Sequence, residues 1–175
     1  MKHLAALALI LNLGAASVYA QEKPVSMRFS GTSEASVINL QPDTSTGESN
    51  FAGNGTLGPF TFRGLTAQTA SPVVSSTCSG PTLLYFQFVA GGGVFRFQDG
   101  SLLTVGKEQG AVCVDLTVPE GHATLTYQIT GGTGPFKGAS GTLTMTATAP
   151  VVLVSVTSGP VILAVTGQIT GTISF

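Results

Sequence analysis

The side chains able to do chemistry are few. Beyond the first twenty residues the chain has one histidine, His122, and its only cysteines are Cys78 and Cys113. His122 follows Gly121 at the start of an alternating apolar segment. A Ser-His-Asp site could use it, but no nucleophile elbow accompanies it, so a surface position is expected. With His3 and His122 as the only histidines, a histidine-built metal site lacks ligands. Gly53-Asn54-Gly55-Thr56-Leu57-Gly58 has the spacing of a dinucleotide fingerprint, which needs a helix after it. Pro59-Phe60-Thr61-Phe62 follows instead and reads as strand, so the glycines are assigned to a turn. Lys107 follows Gly106, but Glu108 stands where a phosphate-binding loop needs Ser or Thr. No cofactor and no metal are expected. Asn54-Gly55-Thr56 is a glycosylation sequon, usable only in a host that glycosylates there.

The three arginines each adjoin a phenylalanine: Arg28-Phe29, Phe62-Arg63 and Phe95-Arg96-Phe97. In a strand, neighbours point to opposite faces. One arrangement turns Phe inward and Arg to solvent. The sharper alternative puts Arg28, Arg63 and Arg96 in a barrel lumen, as counter-charges to an anionic ligand or to Glu34 and Asp115. Asp115 lies within the apolar run 111–116, on the same strand face as Cys113. Buried there it would need a partner; an exposed face is the simpler expectation. Asp99 is accounted for by an Asp99-Gly100 turn.

Charge and composition bound the function classes. Charged residues make up 9% of 175 residues, the formal net charge is -1, and mean hydropathy is +0.40. Such a balance excludes a nucleic-acid binder that works by neutralising phosphates. It also excludes a disordered chain, which needs low hydrophobicity and high net charge. Residues 1–20 have the layout of a secretory signal peptide: basic Lys2, an apolar run, then Val18-Tyr19-Ala20. The apolar run is short for a span, which needs about 20 residues. The expected mature chain is 21–175, one domain, secreted or periplasmic, with no membrane span after cleavage. An oxidising compartment favours a Cys78–Cys113 disulfide; two buried free thiols are the alternative.

The elements that must position these residues read as strands. Thr, Val, Ile and Phe alternate in short windows: Leu125, Tyr127 and Ile129 share a face, as do Leu143, Met145 and Ala147. Phe97-Gln98-Asp99-Gly100-Ser101-Leu102 is a hairpin signal. Gly53-Asn54-Gly55, Gly91-Gly92-Gly93 and Gly131-Gly132-Thr133-Gly134 are expected reversals. Strands are predicted near 25–33, 35–41, 58–68, 82–89, 93–98, 101–106, 111–118, 122–130, 138–149, 150–157 and 161–174, some of which must merge. Residues 41–50 and 69–82 are predicted as polar loops. With no helix signal, the pattern predicts an all-β antiparallel barrel of eight to ten strands, with a sandwich as the alternative.

The segment from Ile129 to Gly141 contains Gly131, Gly132, Thr133, Gly134, Phe136, Gly138, Ala139 and Gly141 in the order Gly-Gly-Thr-Gly-x-Phe-x-x-Ala-x-Gly. It resembles the corresponding segment of the dirigent and allene oxide cyclase barrel superfamily, and is similar to secreted bacterial members. The resemblance covers about a dozen residues closely and the strand pattern loosely. It implies an eight-stranded barrel, often trimeric, with an apolar cavity. Plant relatives cyclise an epoxy fatty acid or steer phenoxy-radical coupling without a metal or organic cofactor. Their acidic, Tyr and Arg site residues have no matching positions here; the matched segment is expected to be structural. Two functions follow as expectations. One is a binding or interaction barrel whose partner is a small apolar ligand or further copies of the chain. The other is a cofactor-free isomerase or cyclase, which needs polar groups converging in the lumen.

Overall fold

The computed structural model describes residues 21–78, 84–115, 117–157 and 159–175. The expected leader, 1–20, lies outside them. Nine strands run in chain order: β1 Lys23–Ala35, β2 Thr44–Gly55, β3 Phe60–Thr69, β4 Val73–Val74, β5 Leu84–Phe97, β6 Leu102–Asp115, β7 Glu120–Gly132, β8 Ser140–Ser155 and β9 Gly159–Ser174. All pairings are antiparallel. The sheet order is β3-β2-β1-β9-β8-β7-β6-β5-β4, and β3 also pairs with β5. That last pairing closes eight strands into a barrel and leaves β4 as a short addition on β5. Closure removes the free edges that a sparsely charged β chain would otherwise expose.

Strand alternation sorts the residues. Met27, Phe29, Phe51, Phe62, Phe95, Leu103, Tyr127, Leu143, Met145 and Ile169 are buried in one core. The opposite faces carry Ser30, Thr32, Asn50, Thr61, Thr124, Gln128, Thr148, Thr166, Gln168 and Thr170, mostly exposed. A polar outside and an apolar inside is the inverse of the membrane-spanning barrel pattern.

The interior of so small a barrel must hold large side chains, and glycines make the room. Gly167 lies opposite Phe29, Gly31 opposite Phe51, and Gly53 opposite Phe60. A Cβ on Gly167 or Gly53 would sit 2.7 Å from the facing ring's Cζ, and one on Gly31 would sit 2.9 Å from Phe51 Cδ1. Gly64, paired with Gly93, has the Phe62 ring against it. Alternating large and small inward residues is how small barrels fill their cross-section. The rings then meet one another: Phe29–Phe51 centroids lie 4.7 Å apart, Phe62–Phe95 4.7 Å and Phe97–Phe136 4.5 Å.

Several predicted boundaries are corrected. The predicted strand 35–41 does not form: Ala35 ends β1, and residues 36–43 are the β1–β2 connection. The predicted polar loop 41–50 is mostly β2, whose Ser, Thr, Gly and Asn alternate too little hydrophobicity to announce it. Gly91-Gly92-Gly93 is no reversal. It lies inside β5, which joins the separately predicted 82–89 and 93–98: Gly93 leaves room for the Phe62 ring, Gly91 and Gly92 for the backbones of β3 and β6, and a bulge falls at Val89. The pieces of β6 and of β8 merge likewise, and each of these strands carries register shifts.

Candidate functional site

The cysteines form a disulfide: Cys78 bonds Cys113 with Cα atoms 5.6 Å apart. Cys113 pairs with Tyr85 and His122 across its neighbours. The bridge ties Cys78, which follows β4, to β6 in the barrel wall. His122 is at the surface, its side chain 58% exposed, with Nε2 3.3 Å from Glu120 Oε1. Asp99 accepts hydrogen bonds at Oδ1 from Ser101 N (2.9 Å) and Ser101 Oγ (2.6 Å), which hold its carboxyl below the usual value. It is a turn residue.

The Gly131–Gly141 segment is a plug at one end of the barrel. Thr133 N donates to Leu102 O (2.8 Å), and Leu102 N donates to Thr133 Oγ1 (2.9 Å). Residues Gly134–Phe136 form one 3-10 turn. Gly134 and Gly138 have φ of 59° and 78°, where a Cβ is penalised. Gly132 is required for a different reason: its Cβ would sit 2.6 Å from Phe136 Cβ. Phe136 is buried against Phe97. The N–H groups of Thr133, Phe136, Lys137 and Ala139 are all used by carbonyls of the protein. They are not free to cradle an anion.

The barrel interior does not receive the candidate lumen residues. Arg28, Arg63, Arg96 and Glu34 are exposed on the outer face, and Asp115 lies half-buried with the same outward alternation. The reason is the two-residue period. Phe29, Phe62, Phe95 and Phe97 take the inside, so each adjoining arginine is turned out. Asp115 Oδ1 accepts from Thr117 N and Oγ1 at 2.9 and 2.7 Å. The interior instead holds a phenol that sequence reading placed only as a core residue. Burial pushes Tyr127 up to about 12, against a hydrogen bond with Thr66 that lowers it.

Two of the outward residues do come together. Residues 36–43 fold back over the outer faces of β2 and β3. Ser36 N donates to Thr46 O (2.8 Å), Leu40 N to Thr46 Oγ1 (3.3 Å), and Ser36 Oγ to Glu48 Oε1 (2.8 Å). Beneath them Thr46 and Ala67, paired across β2 and β3, are buried despite their outward alternation. Between this loop and the wall runs an open groove of about 650 Å³, lined by Glu34, Glu48, Arg63, Leu65, Ile38 and Leu40 among others. Its floor on the β5 side is the bare backbone of Gly91, Gly92 and Gly93. Glu34 pairs directly with Glu48, and Glu48 with Leu65. Arg63 is two residues along β3 from Leu65. Among the described residues no salt bridge engages Arg63, Glu34 or Glu48. Sequence reading singled out Glu34 and Arg63 but not Glu48, Leu65 or the loop. Their convergence depends on the β2 register and on how the loop folds back.

No family model matches the chain, and no curated protein matches it. Among solved structures it is similar to two pterocarpan synthase dirigent proteins. GePTS1 shows 13% identity and a TM-score of 0.39, with 97% of this chain and 96% of that one covered. PsPTS1 shows 13% identity and a TM-score of 0.38, with 85% and 94% covered. The fold assignment rests on the pairing described above: a closed, antiparallel barrel of eight strands.

Proposed function

We propose that this chain is an exported binding module whose ligand sits in the outer groove over β2 and β3, not inside the barrel. The carrying observation is the groove itself, where a loop tied down by three hydrogen bonds walls an apolar and charged trough. The described interior supports the same reading. Phe29, Phe51, Phe62, Phe95 and Tyr127 occupy the space that an internal ligand would need. A cyclase or isomerase would need acidic and basic groups converging inside, and the arginines point outward. Export is compatible with the formed disulfide. No helix among the described residues is long and apolar enough to cross a membrane.

Fragment screening by two-dimensional NMR tests the site. Bound fragments are expected to move the amides of Leu40, Leu65 and Gly92. Fragments that instead move Phe62, Phe95 and Tyr127, and leave the groove unchanged, would return the binding site to the interior and overturn the proposal.

A further inference from the structure

Resting on that reading, we infer that the groove selects a ligand with a cationic head and an apolar body, and that Glu34 and Glu48 receive the head. Directly opposed residues on antiparallel strands have Cβ atoms about 5 Å apart, and like charges so placed repel. Glu34 and Glu48 are such a pair. One Glu48 oxygen already accepts from Ser36 Oγ at 2.8 Å, which ties this groove-lining carboxylate to the loop. No basic side chain forms a salt bridge with either among the described residues. An ammonium placed between them removes the repulsion and satisfies both.

The rest of the groove fits the same ligand. Leu65 adjoins Glu48 across β2 and β3, with Ile38 and Leu40 on the loop above. Ile38 and Leu40 are 49% and 37% exposed, so an apolar body laid there leaves water. Arg63 is the one opposing charge in the lining. Two carboxylates against one guanidinium leave the groove net negative. The surrounding end of the barrel reinforces that sign, since Asp43, Asp115 and Glu120 all stand at the same end as the β1–β2, β6–β7 and β8–β9 connections. Lys23, Arg96 and Lys137 stand toward the opposite end.

The experiment is a titration of the full-length mature protein with three probes that share one apolar body: n-octylammonium, octanoate and 1-octanol. Amide shifts of Glu34, Glu48, Leu65 and Gly92 are followed by NMR. Octylammonium is expected to bind about tenfold more tightly than octanoate, as two exposed ion pairs allow. The preference should shrink as salt is raised. The double variant Glu34→Gln, Glu48→Gln should lose the preference and still bind octanol. The single variant Glu34→Gln, at an exposed position with no side-chain hydrogen bond among the described residues, serves if the double variant melts early. Equal binding of the three probes would overturn the inference and leave the groove as a site. Preference for octanoate would overturn it in favour of Arg63. If no probe moves these amides, the groove itself fails as the binding site.

Discussion

Tyr127 is the residue on which pH should act most clearly. Its phenol is buried and pushed up to about 12, from an ordinary value of 10.0. Below pH 10 it is protonated in folded and unfolded chains alike, and its protonation has no effect on stability. Above pH 10 the unfolded chain releases the proton first, so stability falls as pH rises, until the folded phenol ionises near pH 12. Two units correspond to about 3 kcal/mol. Urea midpoints measured from pH 9 to 12 should show this decline, and Tyr127→Phe should flatten it. A decline unchanged in the variant would assign it to other groups. Phe136 is the second residue with a defined expectation. It fills the barrel end beside Phe97, so Phe136→Ala should lower stability by about 3–5 kcal/mol, read by chemical denaturation.

At the scale of elements, facing glycines set where the aromatic rings can lie. Gly167 on β9 faces Phe29 on β1, and Gly53 on β2 faces Phe60 on β3. Adding a side chain there meets ring and backbone together. Gly167→Val is therefore expected to cost more than the usual 1–3 kcal/mol of an overpacked core site, or to prevent folding. Thr166→Val, one residue away on the outer face, is a control that should change the melting temperature little. Gly132→Val should also be destabilising, since its Cβ would meet the Phe136 side chain. Phosphate should rescue neither, because the turn's N–H groups are already bonded internally. If phosphate raised the melting temperature of wild type but not of Gly132→Val, the turn would be an anion site after all.

For the whole molecule, the disulfide is the one covalent tie between distant parts. It closes a loop of 35 residues between Cys78 and Cys113. The chain-entropy model values such a loop at about 4 kcal/mol. Replacing both cysteines by Ser should lower stability by up to that amount while the strand signal in circular dichroism is kept. Mass spectrometry after alkylation without reductant should find no free thiol in the protein. Two alkylated cysteines would show the bridge absent there.

Alternation at Phe60 to Arg63 and at Thr124 to Ile129, the Asp99-Gly100 turn and the glycine segment were enough to specify an all-β chain with hairpins. These signals are local: side-chain period and turn chemistry act over two to six residues. The cysteine pairing was legible for a different reason, since two cysteines allow only one bridge. Strand β2 was not legible, because Thr44 to Gly55 is polar and glycine-rich and becomes a strand through its pairing with β1 and β3. The glycines at 91–93 read as a turn in isolation and as strand once they pair with β3 and β6 and the Phe62 ring lies against Gly93. The inside and outside of each Phe-Arg pair were left open by the sequence, because the period fixes only that the two residues oppose each other. Closure of β3 onto β5 decided which face is enclosed, and the enclosed volume admits rings backed by glycine. The pairing of β2 with β1 and β3, with residues 36–43 folded onto β2, brought Glu34, Glu48 and Arg63 to one groove. Residues 14 and more positions apart meet only through register, which is a property of the folded barrel.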